Sequence, residues 1–133
     1  MTIKLPAGTY YVGDLCYILG DHNGYNWDHV LHATNFLKGD PSQGGACWYN
    51  GIRFFCSSTM YGDGCFQDDE GRSYGVDAGI IGCFPVQELP EGFDSSGGHV
   101  VEFPQAFVCE PTHTPGNHEG TISIGHLDIE TGD

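Results

Sequence analysis

Residues 46–56, ACWYNGIRFFC, place the pair Asn50-Gly51 between two short apolar runs. Asn and Gly both accept a positive φ, which a two-residue type I′ turn requires at its two central positions. The aromatic and β-branched residues on either side favour extended backbone. The stretch therefore predicts a β-hairpin with strands over 46–49 and 52–56.

Apolar residues alternate along most of the remaining chain, which is the period of a half-buried strand. The further strands that this period predicts are 9–12, 16–19, 64–67, 73–76, 79–84, 99–103, 106–109 and 121–129. The last of these changes phase near Gly125, which we interpret as a β-bulge. The Gly- and Pro-rich stretches 91–98 and 110–120 are predicted to be exposed loops.

One segment has a helical period instead. After Asn26, a suitable N-cap, apolar side chains recur at the i, i+3, i+4, i+7 spacing of one helix face, and Lys38-Gly39 suits the end of a helix. We predict one amphipathic helix at about 27–37. The chain is therefore expected to be mainly β (β-rich α+β): an antiparallel, partly closed barrel or a sandwich with this helix packed on it, forming a single domain over 1–133.

The charge balance excludes several classes of partner. Eighteen Asp and Glu face four Lys and Arg, for a net charge of −14. A surface that tracks phosphates needs several Lys or Arg on one face, so direct nucleic-acid binding is not expected, and neither is docking to an anionic membrane. Most acids stand singly at turns. A continuous acidic surface would require the fold to gather them onto one face.

The N-terminus indicates a compartment, and the compartment predicts the state of the cysteines, whose even number would suit disulfides in a secreted protein. MTIKLPAGTYY lacks the apolar core of a signal peptide, and no apolar run is long enough to span a membrane, which predicts a cytoplasmic protein. The six cysteines are then expected to be thiols, and most of them small buried hydrophobic residues. Three share a strand face with an apolar neighbour: Cys56 with Phe54, Cys83 with Ile81, and Cys109 with Phe107.

Three aspartates, Asp14, Asp63 and Asp77, each stand beside a glycine at a predicted strand end. One interpretation is turn chemistry, in which Asp accepts hydrogen bonds from backbone downstream and Gly supplies a positive φ. The other brings the three carboxylates together at one rim, where they would bind a divalent cation or act as acid and base. Both interpretations stay open, as does a metal-ligating role for any histidine.

Aromatic and cationic side chains supply the other candidate binding residues. Adjacent strand residues such as Tyr10 and Tyr11 point to opposite faces, so some of the many aromatic rings should reach the surface or a groove. Phosphate recognition would depend on few cations and on backbone N–H groups. The candidate binding residues are Asp14, Tyr17, Trp27, Tyr61, Asp63, Asp77, Arg53 and Arg72.

The opening LPAGTYYVGDLCY, at 5–17, resembles the signature G-x-Y-Y-[IV]-G-D-P-C-Y of a family of small phage and bacterial proteins with no agreed activity. The family's later features are a Trp-containing helix, a G-D-G segment and a V-D-[AS]-G segment, which match Trp27, GDG at 62–64 and VDAG at 76–79. GHLDI at 125–129 is similar to the family's last strand, whereas Leu15 stands where the family has Pro. The resemblance implies a phage-type origin and a compact β-rich fold, and it assigns no catalytic residues.

Three functional hypotheses follow. The first is a non-enzymatic cytoplasmic accessory protein of phage type, without a cofactor, which acts by binding a basic surface of a host protein, for example in counter-defence. The second is a sequestering protein for a small nucleotide signal, using Tyr or Trp stacking with Arg53 or Arg72. The third is a metal-dependent hydrolase built on Asp14, Asp63 and Asp77. The oligomeric state stays open in all three.

Overall fold

Two antiparallel β-sheets packed face to face make up the fold. A computed structural model describes residues 3–20, 24–26, 45–49, 51–59, 63–77, 79–93, 97–110 and 120–131. The strands in these ranges are β1 (Ile3–Leu5), β2 (Gly8–Gly13), β3 (Gly45–Tyr49), β4 (Ile52–Ser58), β5 (Gly64–Asp68), β6 (Ser73–Val76), β7 (Ile80–Pro85), β8 (His99–Phe103), β9 (Phe107–Glu110), β10 (Thr121–Ile124) and β11 (Leu127–Glu130). Short 3₁₀ turns cover Leu15–Tyr17 and Val86–Glu88.

The described strands divide into a six-stranded sheet, in the order β1-β9-β10-β11-β5-β6, and a five-stranded sheet, in the order β3-β4-β7-β2-β8. Neither sheet closes on itself within the described residues. Of the two predicted architectures, a partly closed barrel and a sandwich, the structure therefore shows the sandwich. The mainly β fold class is confirmed. The predicted helix at about 27–37 lies outside the described residues, as do Trp27 and Tyr61.

The predicted hairpin is present and sets the register of the five-stranded sheet. Tyr49 pairs with Ile52 across β3 and β4, and Phe55 of β4 pairs in turn with Cys83 of β7. Cys83 also pairs with Val12 of β2, so β7 lies between two strands of the sheet. This central position explains why β7, IIGCFP, is apolar at nearly every residue.

Apolar side chains from both sheets meet in the core of the sandwich. The five-stranded sheet contributes alternate residues such as Val12 and Ile81, and the six-stranded sheet contributes Ile122, Ile124 and Ile129. The intervening residues of β10 and β11 point outward and are polar, which is the alternation expected where one face of a sheet meets water. Each fully buried aliphatic side chain contributes about 1.5–3 kcal/mol to this core.

A second apolar cluster covers the other face of the five-stranded sheet. Its buried members are Tyr11, Leu15, Ile18, Leu19, Phe54, Cys56, Ile80, Phe84 and Leu89. The sheet is therefore buried on both faces. Tyr10 and Tyr11 point to opposite faces, as expected, and they are 3% and 0% exposed because each face has its own apolar cluster.

The strand predicted at 16–19 is wrong. After β2 the chain forms the 3₁₀ turn Leu15–Tyr17, with Asp14 as its N-cap. Leu15, Ile18 and Leu19 are fully buried, and their spacing of three and four residues is that of a helical turn. In so short a run an alternating pattern and a helical pattern overlap, and the capping carboxylate of Asp14 decides between them.

The bulge predicted near Gly125 is also wrong. Ile124 pairs directly with Leu127, so Gly125 and His126 form the two-residue loop of a hairpin between β10 and β11. Gly125 has a φ of +61°, which suits the first position of such a loop. The hydrophobic phase changes because the chain reverses at this point, and not because one strand carries an extra residue.

Candidate functional site

Asp14, one of the three aspartates singled out above, connects the two sheets. It follows β2 of the five-stranded sheet, and its carboxylate is fully buried. Oδ1 accepts a hydrogen bond of 2.9 Å from the backbone N–H of Cys16, and Oδ2 accepts one of 2.7 Å from the backbone N–H of Asp77. Because Asp77 follows β6 of the six-stranded sheet, the second bond joins one sheet to the other.

Tyr17 reinforces this connection from the 3₁₀ turn. Its hydroxyl donates a hydrogen bond of 2.8 Å to Oδ2 of Asp77. That bond, together with partial burial and the negative charge of Asp77, raises the pKa of Tyr17 to about 12. The phenol therefore stays protonated at neutral pH and acts as a hydrogen-bond donor, and not as a base.

Gly97 completes the arrangement, which we call the Asp14 junction (Asp14, Tyr17, Asp77 and Gly97). The carbonyl of Gly97 accepts a hydrogen bond of 2.8 Å from the N–H of Gly75 in β6. A Cβ at position 97 would lie 2.7 Å from Cδ2 of Tyr17, so only glycine lets the ring pack there. The sequence pattern did not predict this packing role for Gly97, because 91–98 is typical of an exposed loop. The Gly97-Gly98 pair directly before a strand is the signal that could have indicated it.

Asp63 lies at the same end of the sandwich. It is exposed and precedes β5, in which Gly64 pairs with Val76 of β6. Asp63 and Asp77 are the residues directly beyond this pair, so the three strand ends are neighbours, as the site interpretation required. However, both oxygens of Asp14 already accept backbone N–H groups. No three His, Cys, Asp or Glu side chains among the described residues are grouped so that they could hold a metal ion.

The contacts of Asp14 are therefore those of a capping and sheet-joining residue, which agrees with the turn interpretation and extends it to a long-range bond. A hydrolase built on Asp14, Asp63 and Asp77 gains no support from these contacts and stays a prediction.

The outer face of the six-stranded sheet gathers acids that are far apart in the sequence. Ser123 of β10 pairs with Glu110 of β9 on one side and with Asp128 of β11 on the other. Beyond Asp128, the N–H of Asp69 donates to the carbonyl of Asp128 over 3.0 Å. The row Glu110, Ser123, Asp128 and Asp69 thus crosses the sheet, with neighbouring strands about 4.8 Å apart.

Glu130 lies two residues along β11 from Asp128 and points to the same side. We call Asp69, Glu110, Asp128 and Glu130 the acidic face. Two of its carboxylates accept hydrogen bonds from neighbouring hydroxyls: Ser123 donates to Asp128 over 2.8 Å, and Thr121 donates to Glu130 over 3.0 Å. These bonds hold the carboxylates in place on the sheet.

No family model, curated protein or solved structure matches this chain. The resemblance to the phage and bacterial family therefore stays a prediction. None of the helical segments in the described ranges is long and apolar enough to cross a membrane.

Arg72, a candidate for phosphate recognition, lies against the carboxylates of Asp68 and Glu70. Its guanidinium forms an ion pair with Glu70, and its Nε lies 3.3 Å from Oδ2 of Asp68 without hydrogen-bond geometry. Asp68 also accepts hydrogen bonds from the backbone N–H groups of Glu70 and Arg72, each over 2.9 Å, and from the hydroxyl of Tyr74 over 2.7 Å. The positive charge of Arg72 is thus largely neutralised within its own hairpin.

Arg53 lies elsewhere, exposed on β4 of the five-stranded sheet. It lines a shallow cavity of about 240 Å³ together with Pro6, Tyr10, Gly51, Ile52, Pro85, Gln87 and Glu88. The two arginines belong to different sheets, and each has an acidic residue among its neighbours. Binding of a nucleotide through this pair stays a prediction.

Proposed function

We propose that this is a binding protein whose acidic face engages the basic surface of another protein. The observation that carries the proposal is the register of the six-stranded sheet, which places Glu110, Asp128 and Asp69 in one row. The row crosses four neighbouring segments, β9, β10, β11 and the end of β5, with Ser123 of β10 between Glu110 and Asp128. Glu110 and Asp128 each stand singly in the sequence, and Asp69 belongs to the separate run Asp68-Asp69-Glu70. The fold brings them together on one surface, as an acidic binding face requires.

The energetics of the sheet support a role beyond folding. Asp69 and Asp128 are direct neighbours in this row, and a like-charged pair on adjacent strands destabilises a sheet by about 0.2–1 kcal/mol. The backbone N–H of Asp128 donates a hydrogen bond of 3.2 Å to Oδ1 of Asp69, which offsets part of this cost. A cationic partner would reverse the sign of that interaction, because each exposed carboxylate would then face a Lys or Arg. Complementary charge of this kind increases the association rate and selects the partner.

The cations in the described part of the molecule offset only part of the acidic face. Lys4 of β1 pairs with Val108, two residues before Glu110, so it lies beside one end of this face and opposes four carboxylates with a single charge. Arg72 is held by Asp68 and Glu70, and Arg53 belongs to the other sheet. With a net charge of −14 for the whole chain, the potential outside this sheet is expected to be negative and to attract basic surfaces over roughly a Debye length of 10 Å at 0.1 M salt.

The resemblance to phage proteins extends the proposal to a class of partner. A phage accessory protein acts inside the host cell. Host proteins that bind nucleic acid have surfaces rich in Lys and Arg, and an acidic sheet could cover such a surface. Occupying such a surface would block its nucleic acid, which is one form of counter-defence. The protein would work as a competitor in the cytoplasm and would need neither a cofactor nor an active site.

Two triple variants of equal net charge test the proposal. The first, Glu110→Gln with Asp128→Asn and Glu130→Gln, neutralises the acidic face but keeps the amide oxygens as hydrogen-bond acceptors for Ser123 and Thr121. The matched control neutralises three other exposed acids, Glu88→Gln with Glu91→Gln and Glu102→Gln. Each variant removes three negative charges, so only the position of the charges differs.

Binding is measured by biolayer interferometry against purified nucleic-acid-binding proteins of the host at 50 and 500 mM NaCl, with polylysine as the non-specific cation. We expect the wild type and the control to bind at least one host protein at low salt and to release it at high salt. The acidic-face variant should lose about tenfold in affinity, since each exposed pair contributes about 0.2–1 kcal/mol. Equal weakening of both variants, or a complex that is insensitive to salt, would contradict the proposal.

A further inference from the structure

Two buried thiols face each other across the core of the sandwich. Cys83 belongs to β7 of the five-stranded sheet and Cys109 to β9 of the six-stranded sheet. Both side chains are 0% exposed, and their Sγ atoms lie 3.9 Å apart. In sequence they are separated by a complete strand, β8, so their approach is produced by the packing of one sheet on the other.

The two sheets come close together near this pair. Packed sheets usually lie about 10 Å apart, whereas some Cα atoms of β7 lie within 8 Å of Cα atoms of β10. Cys83 lies on β7 itself, and Cys109 of β9 pairs with Ile124 of β10, so both thiols belong to the strands at or beside this approach. A disulfide requires an Sγ–Sγ distance of about 2.05 Å, and the sulfurs must therefore move together by about 1.9 Å.

We propose that Cys83 and Cys109 form a latent inter-sheet disulfide, closed by exchange with a small-molecule disulfide such as oxidised glutathione. One cysteine, as its thiolate, attacks a sulfur of the oxidant, forms a mixed disulfide and releases one glutathione thiolate. The second cysteine thiolate then displaces the other glutathione. Two protein thiols lose two electrons and two protons, and one oxidised glutathione becomes two reduced molecules. This inference is independent of the acidic face.

Burial determines how the exchange proceeds. An oxidant cannot reach either sulfur in the folded protein, so reaction requires a transient opening of the sandwich or the folding process itself. Cys65, which is exposed on β5, needs no opening and should react first. The Cys83–Cys109 bond is therefore expected to form slowly in the native protein and faster when a moderate urea concentration increases the population of open states.

The bond would stabilise the fold because it ties the two sheets together. It closes a loop that includes β8 and the start of β9, and a cross-link over a loop of this length restricts the unfolded chain. We expect the melting temperature to rise by roughly 5–15 °C for a domain of this size. Reduction should return it to the starting value.

The experiment incubates the full chain with oxidised glutathione at pH 8 in 0 to 3 M urea, then removes the urea and blocks the free thiols with iodoacetamide. Digestion after glutamate under non-reducing conditions separates the two cysteines, because Glu88, Glu91 and Glu102 lie between them in the sequence. Mass spectrometry should detect a peptide pair joined through Cys83 and Cys109, and thermal unfolding of the same sample should show the raised melting temperature.

Three variants make the result specific. Cys83→Ala and Cys109→Ala should each lose the linked peptide and the change in melting temperature. Cys56→Ala should keep both, because Cys56 is buried in the cluster on the other face of the same sheet. Glutathione on Cys65 without a Cys83–Cys109 link would overturn the proposal, and so would a link that forms only with loss of the native near-ultraviolet circular dichroism.

Discussion

At the scale of single residues, the aspartates show how one side-chain type takes different roles in one fold. Asp14 is fully buried and accepts two backbone hydrogen bonds, one of them from the other sheet. Asp63 is exposed at the same end of the sandwich. The sequence places both beside a glycine, so the local pattern alone does not separate them.

Replacing Asp14 by Asn tests its role in joining the sheets. The amide oxygen can serve one of the two backbone N–H groups, but the amide nitrogen would face the other, leaving a buried donor without an acceptor. We expect a loss of about 1–3 kcal/mol in the free energy of unfolding, measured by urea titration. Asp63→Asn is the control and should stay within about 0.5 kcal/mol of wild type. Equal losses in the two variants would contradict the assignment.

Asp68 is the second buried carboxylate with several donors. Burial by itself raises its pKa, but the hydrogen bonds from the hydroxyl of Tyr74 and from the backbone N–H groups of Arg72 and Glu70 lower it, as does the charge of Arg72. The result is a pKa below the ordinary value of 3.8. The hydrogen bond between Tyr74 and Asp68 has the opposite effect on the tyrosine: together with burial, it raises the pKa of Tyr74.

This shift predicts how stability depends on pH. A carboxyl whose pKa is lower in the folded state stabilises the fold above its unfolded pKa, and this contribution is lost as the pH falls through 3.8 and then through the lower folded value. Asp68→Asn should therefore cost about 1–3 kcal/mol at pH 7 and progressively less below pH 4. Urea titrations at pH 7, 5, 4 and 3 measure it. A cost that stays constant over this range would contradict the expectation.

At the scale of elements, the Asp14 junction fixes how the 3₁₀ turn, the edge strand β6 and the segment before β8 meet. Gly97 is central to this contact because it has a φ of +82° and its Cα lies against the ring of Tyr17. A larger residue would push the ring away and would disturb the hydrogen bond between Tyr17 and Asp77.

Gly97→Ala and Gly92→Ala form a matched pair for this contact. Both glycines have nearly the same φ, +82° and +80°, but a Cβ at position 92 would meet nothing within 4 Å. Gly92→Ala should therefore cost only the backbone strain, about 1–2 kcal/mol. Gly97→Ala should cost at least about 1 kcal/mol more, since overpacking is added to the strain. Equal melting temperatures for the two variants would exclude a packing role for Gly97.

The elements also show where sequence patterns are sufficient. The hairpin of β3 and β4 was predictable because Asn50-Gly51 selects its turn locally. The run at 16–19 was not, because Leu15, Ile18 and Leu19 fit a helical turn as well as part of a strand, and the bond from Cys16 to Asp14 decides between them. At Gly125 the pairing of Ile124 with Leu127 distinguishes a hairpin from a bulge.

At the scale of the whole molecule, charge is organised by the pairing of strands. The net charge of −14 follows from composition, but the row of Glu110, Asp128 and Asp69 depends on the strand order β9-β10-β11-β5. For this reason the proposed function is tested with two variants of equal net charge, in which only the location of the removed carboxylates differs.

The sequence by itself determined the mainly β class, most of the strands, the first hairpin and the scarcity of cations, because period, turn chemistry and composition are local properties. Only the tertiary structure decided that both Tyr10 and Tyr11 are buried, that Asp14 joins two sheets, and that Cys83 faces Cys109. Each of these depends on which strands become neighbours. Which strands become neighbours depends on how the whole chain buries its apolar faces. Residues far apart in the sequence therefore come into contact only in the folded protein.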